Sequence, residues 1–362
     1  MDTITHGMIT RVFAKAVVSE PRGRDLVLLA TVCSVLPDMD ILFGAGDPLA
    51  SLQNHRGITH SLLGAVLLGF PIAALAYHRV PHALFTRWRG AEGQVVVGNP
   101  HGREDASLGF WAFYLASALG IGSHIFFDLV TSYGTMILQP FSDRRFSLDL
   151  WFIIDPYVWL ILGVPWLLRR AFGRRAWRAG WEYRVGAMLL VGYVGLAAWV
   201  QMTALRRLDT WVEAEGLSVV TMGAIPVAFS PLHRKGIVMT PDRVYDIPVR
   251  VLRADFGPIA VHPSPFRTDD PFIIRAWATP EGKRYRWFAR FPLAMRREEG
   301  GRQRVILYDL RFEGRLEDLD AVGRAIARAL LRRWPALTER KRQALEVVFD
   351  TRGRIERIGF VR

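Results

Sequence analysis

Residues 108–130 read LGFWAFYLASALGIGSHIFFDLV, and the reading of this stretch decides the fold. It contains no Lys, Arg or Glu, and it reaches the ~20 residues an α-helix needs to cross a ~30 Å hydrocarbon layer. The exceptions that can carry charge are His124 and Asp128, four positions apart, so a helix places both on one face. Ionisable groups inside such a run are costly in lipid, and function is their first explanation.

Similar runs lie on either side. They are 61–77 (SLLGAVLLGFPIAALAY), 157–168 with WFII upstream, and 185–205 (VGAMLLVGYVGLAAWVQMTAL), with a shorter one at 26–36. The reading is an α-helical polytopic membrane domain of four to five spans over residues 1–207. The first 20 residues lack the basic start and apolar core of a secretory signal, so insertion is expected to use the mature helices.

Composition supports this. Of 362 residues, 51% are hydrophobic and 22% charged, and mean hydropathy is +0.15, which excludes a disordered chain and a nucleic-acid-binding tail. No nucleic-acid partner is expected. The one cysteine, Cys33, allows neither a disulfide framework nor a cysteine-based zinc site, so any metal must use His, Asp and Glu.

The net charge of +13 is unevenly spread: 17 Lys+Arg face 14 Asp+Glu up to residue 203, and 30 face 20 beyond it. Segments 20–25, 79–105 and 169–184 are Arg-rich and are expected to be cytoplasmic, whereas 38–60 and 128–155 are acidic and are expected to face outward. The last span then delivers residues 208–362 to that outer face. This basic half reads as a small α+β extramembrane domain. Strands are expected at 218–229, 236–239, 244–252, 272–278, 285–291 and 304–312, a helix at 316–334, and a hairpin from 344 to 361 around DTRG.

Topology brings the polar exceptions to one rim: His6, Asp38 and Asp40, His55 and His60, His124 and Asp128, then Asp143 and Asp155. Mixed imidazole and carboxylate donors suit Zn²⁺, Mn²⁺ or Fe²⁺ better than Mg²⁺ or Ca²⁺. The metal candidates are His6, Asp38, Asp40, His60, His124 and Asp128, more than one tetrahedral zinc needs, which leans toward two ions, Zn or Mn. Arg56 is read as steadying an anionic substrate and Asp40 or Asp155 as the base that takes a proton from water. His78, His82 and His101 read as packing residues, and His233 and His262 as surface residues. Segment 131–145 (TSYGTMILQPFSDRR) reads either as a re-entrant loop closing over the site or as an interfacial loop with Arg144 and Arg145 at the headgroups.

DTITHG at 2–7, LPDMD at 36–40, HRGITHS at 55–61, SHIFFD at 123–128, TSYGT at 131–135, PFSDRR at 140–145 and IDP at 154–156 together resemble the YdjM-type membrane-bound metal-dependent hydrolases of bacteria. PVAFSP at 226–231 and DLRF at 309–312 resemble their longer members. The resemblance implies a multi-pass protein of the bacterial inner membrane with a hydrolytic metal centre. The expected place of the site, at headgroup depth beside a basic domain, points to a phosphoester or lipid-like substrate at the bilayer surface. Two other classes stay open: a non-catalytic divalent-cation-binding or transport protein, and a stress-response membrane scaffold.

Overall fold

Asp2 opens the first helix, its carboxylate accepting the Thr5 N–H at 3.0 Å, and α1 runs Thr3–Val17. The computed structural model describes residues 1–18, 23–44, 47–79, 109–172, 180–333 and 343–361. Helix α2, Arg24–Cys33, ends ahead of Pro37, which disfavours helical geometry in the residue before it, and the chain continues as a 3-10 segment, Leu36–Gly44. Asp47 caps the short α3, Pro48–Asn54, by accepting the Leu49 N–H. A 3-10 turn, Ile58–His60, leads into α4, Leu62–Arg79. Then come α5 (Phe110–Leu129), α6 (Pro156–Phe172) and α7 (Trp181–Ala214).

Two apolar seams hold these helices together. Leu29 and Cys33 of α2, Ala65 of α4, and Ile121 and Ile125 of α5 form one. Ile9 and Val12 of α1, Val158 and Leu162 of α6, and Ala187, Leu190 and Ala197 of α7 form the other, with Phe127 and Trp151.

Among the described residues, α5 and α7 are long and apolar enough to cross a membrane, and a third span forms if Pro48–His60 and Leu62–His78, bent by 66°, count as one. That is two to three candidate spans where the sequence suggests four to five. The reason is local. Helix α2 has 10 residues, and α6 begins only at Pro156 because Trp151 of the upstream WFII is held in an extended bridge to Thr131; α6 then has 17 residues ending near Arg169 and Arg170. Helix α7 has 34 residues, ~50 Å at 1.5 Å each, so it emerges from any bilayer it crosses and runs past residue 207.

The rest of the chain forms two four-stranded antiparallel sheets, each in sequential order. The first is β1 (Thr221–Pro226), β2 (His233–Met239), β3 (Arg243–Arg250) and β4 (Ala260–Pro263). The second is β5 (Pro292–Glu299), β6 (Arg302–Asp309), β7 (Leu345–Phe349) and β8 (Ile355–Phe360). In β2, alternate residues serve two cores: Ile237 and Met239 meet Phe291, Leu293 and Ile306 of the second sheet region, whereas Val238 joins Ala204 and Leu208 of α7. A Cβ on Gly236 would lie 2.7 Å from Leu208 Cδ2, so glycine there lets α7 approach the sheet.

Two expected strands are helices. Residues 272–278 lie in α8, Pro271–Ala278, where Asp270 accepts the Phe272 and Ile273 N–H groups. Residues 285–288 close α9, Pro280–Phe288, capped by Thr279. In both, a capping side chain followed by proline at the first helical position overrides the apolar pattern. The expected helix at 316–334 begins as a 3-10 turn, Leu316–Asp318, and α10 spans Ala321–Arg333.

The sheets are clasped to the helical region. Arg311 donates to the Ser132 and Tyr133 carbonyls at 2.9 and 3.2 Å, Arg290 pairs with Asp149 at 2.6 Å, and buried Arg234 reaches the Leu150 and Ala197 carbonyls. Apart from the Ala197 carbonyl of α7, these contacts fall on the segment between α5 and α6.

Candidate metal centre

His124 and Asp128 occupy one face in the last turns of α5, as their spacing requires. A Cβ on Gly120 would come within 2.4 Å of the Ala30 carbonyl oxygen, so the glycine allows α2 to lie directly on α5. That approach brings the Ser34 carbonyl to 2.7 Å from His124 Nδ1. The 3-10 segment after α2 then carries Asp38 and Asp40. Arg56 has a left-handed backbone (φ 62°), and its N–H bonds Asp40 Oδ2 at 2.9 Å while its carbonyl accepts from Met136. The turn that follows delivers His60.

Asp38, His60, His124 and Asp128 each offer one donor atom, all within 4.8 Å of one another. The two Nε2 atoms are 3.0 Å apart; Asp38 Oδ1 lies 3.4 Å from that of His124, and Asp128 Oδ2 lies 3.4 and 3.5 Å from those of His60 and His124. The partners of the other ring nitrogens fix the tautomers. A carbonyl can only accept, so His124 donates from Nδ1; His60 Nδ1, 3.1 Å from Asp40 Oδ2, does the same. The two Nε2 atoms therefore face each other, a contact that either a shared proton or a bound cation satisfies. Asp128 Oδ2 is buried with no hydrogen-bond partner. Two imidazoles and two carboxylates with an unsatisfied buried oxygen fit a divalent transition ion.

The remaining candidates surround this group. His6 Nε2 faces the other oxygen of Asp128, Oδ1, at 3.1 Å, with its ring stacked on His124 at 3.7 Å between centroids. Arg56, read as a substrate anchor, is buried, and its Nη2 grips Asp128 Oδ1 at 2.9 Å. Asp40 accepts from His55, the Arg56 N–H, Thr59 and His60. Burial alone would raise its carboxyl, but the hydrogen bonds from His55 and His60 outweigh burial and hold it well below the usual carboxylate range. Asp155 is directed elsewhere, capping α6 at the Tyr157 N–H and accepting from Tyr193 at 2.7 Å.

Tyr133, which sequence reasoning passed over, lies under the Arg56 guanidinium at 4.7 Å and beside His55 at 5.5 Å. Its signal was the aromatic within TSYGT directly after Asp128. Segment 131–145 lies against the site: Ile137 accepts the Leu62 N–H, and Arg145 reaches the Leu52 and His55 carbonyls. His78 sits edge-on to Tyr77, His233 is half-buried beside the Asp318 carbonyl, and His82 and His101 lie outside the described residues.

No solved structure matches the chain. An uncharacterized protein of Bacillus subtilis, YfhP, is 25% identical over 203 residues, a match covering 56% of this chain and 53% of that protein. The chain thus spans about half the length of the curated relative it matches. Residues 1–207, which hold the whole His and Asp cluster, match the family described as YdjM inner membrane protein, and the chain belongs to that family.

Proposed function

We propose that the protein is a membrane-embedded, metal-dependent hydrolase acting at the bilayer surface on a phosphoester or lipid-like substrate. The observation that carries this reading is the convergence of two imidazole Nε2 atoms and two carboxylates, one with an unsatisfied buried oxygen, in one spot. Asp38, His60, His124 and Asp128 would hold the ion. When bound, a divalent ion there supplies Lewis acidity and makes water a better nucleophile.

The chain's own groups do the rest. Asp40 and the Ser34 carbonyl orient His60 and His124; Arg56 and His6 orient Asp128. The His55–Asp40 pair accepts and carries off a proton, since the His55 side chain is 20% exposed and its Nδ1 is held at 2.8 Å. Arg169, Arg170 and Arg184 belong to the helix ends remote from the site, which supports an outward-facing centre with the sheet domain beside it.

The test is elemental analysis of detergent-purified protein beside a His124→Ala/Asp128→Ala variant, with both assayed on lipid and soluble phosphoesters. Bound Zn or Mn with turnover in the parent, and neither in the variant, is expected; an ion-free, inert parent overturns the proposal.

One observation favours a second reading. Of the four donor side chains only Asp38 has any exposure, 12%, and a closed four-ligand set is typical of structural ions. A purely structural ion predicts metal-dependent stability without turnover.

A further inference from the structure

The side chains next to the ligands are large, apolar and exposed. Met39 follows Asp38, and Ile41 and Leu42 follow Asp40; Ile58 and Leu62 flank His60. Ile4 adjoins Thr3, whose hydroxyl bonds Asp38 Oδ2 at 2.5 Å. All six are between 48% and 67% exposed. They adjoin Asp38, the one ligand reachable from outside, and the other donors along the chain or through Thr3, and come from four elements: α1, the Leu36–Gly44 segment, the Ile58–His60 turn and α4. A soluble surface rarely gathers so many exposed apolar side chains in one place.

Nor do they stand alone. Leu62 continues into Val66 and Phe70, also exposed, at successive helical turns of α4. That stripe belongs to a candidate spanning element. The rim of the metal centre thus continues into an exposed apolar stripe, where α5 ends and α4 begins.

We propose that the centre opens sideways into the bilayer, between the Leu36–Gly44 segment and the start of α4, and takes a membrane amphiphile: its ester or phosphoester head reaches Asp38 while an acyl chain stays against Met39, Ile41, Ile58 and Leu62. The substrate half of this rests on the hydrolase reading; the sideways opening does not. Lipid acyl chains are the occupant because the apolar surface is continuous with that of α4 and shares its exposure.

The experiment uses the full chain in nanodiscs. Cys33 is buried, so Met39→Cys, Ile41→Cys and Ile58→Cys each accept one bimane label. Quenching by phosphatidylcholine brominated along its acyl chains, with little quenching by aqueous iodide, is expected at all three; Leu252→Cys, on an exposed loop of the sheet domain, should show the opposite. Preferential quenching by iodide at the rim overturns the sideways opening whatever the turnover. In a second arm, Ile41→Asp/Leu62→Asp protein that still binds Zn or Mn should lose at least tenfold in its hydrolysis of dioleoylphosphatidate relative to p-nitrophenyl phosphate. An unchanged ratio overturns the amphiphile assignment. Bromolipid quenching in a parent that cleaves neither probe overturns the hydrolase reading and leaves the opening in place.

Discussion

The helical region gathers the carboxylates of half-buried Asp38 and of buried Asp40 and Asp128 with the Arg56 guanidinium and the Met1 ammonium, the latter 2.6 Å from Asp128 Oδ1, whereas the sheet region buries Asp246 and Asp318 against Lys235 and Arg315. The second cluster closes electrically. Lys235 Nζ lies 3.2 Å from Asp246 Oδ2 and donates to the Glu313 carbonyl, while Arg315 pairs with Asp246 at 3.1 Å and Asp318 at 3.5 Å. Two cations answer two anions, and the cluster can join sheet to turn without help. The first sets its carboxylates against imidazoles as well as Arg56 and Met1, and leaves Asp128 Oδ2 buried without a hydrogen-bond partner. Buried charge in one protein can therefore mark architecture or an ion site, and converging donors with an unpartnered carboxylate oxygen mark the second.

The sharpest way to break this contrast is to remove a ligand. Asp128→Ala should abolish metal binding and leave Arg56 without its carboxylate, a loss of about 3–5 kcal/mol by analogy with broken buried pairs. Calorimetry with and without a chelator checks it: the parent should respond to chelation and the variant should not. Lys235→Met should destabilise by a comparable ~3–5 kcal/mol, yet its metal content and chelator response should match the parent. A change in bound metal there would mean the two clusters are not independent.

Smaller substitutions sharpen the contrast. Asp40→Asn keeps most hydrogen bonds but weakens the hold on His60 Nδ1, and metal affinity should fall about 10–100-fold, as for other groups that orient a ligand. Titration with a competing chromophoric chelator measures it. The smallest effect belongs to Asp318. Burial, with Asp246 nearby, pushes its carboxyl up to about 6 despite the Lys235 charge. The folded chain thus binds this proton more tightly than the unfolded one, so the stability it contributes is complete below pH ~4 and lost as pH rises through ~6. Asp318→Asn should remove that loss, raising stability near pH 7.5 by about 1–2 kcal/mol and leaving pH 4 unchanged, which unfolding curves at both pH values would reveal.

Much of the site could be read in advance because lipid makes charge conspicuous. His124 and Asp128 stand out in their apolar run, and LPDMD and HRGITHS carry the other two donors at helix ends. The division of labour around them was hidden. Ser34 acts through a backbone carbonyl, which no residue type announces, and Arg56 turns inward because its left-handed backbone brings its N–H to Asp40. The expected four to five spans exceed the two to three candidates among the described residues, where α2 has 10 residues and α6 17. The two misread strands had a legible warning in Asp270-Pro271 and Thr279-Pro280, whose capping chemistry outranks apolar periodicity.

Helix α7 is unbroken from Trp181 to Ala214, and its outer turns pack directly on β2. The sheet domain is therefore mounted on a stiff mast rather than hung from a tether. When the bilayer thins or thickens and the mast leans to match, the domain must lean with it, and through Arg311 it pulls on the carbonyls just beyond Asp128.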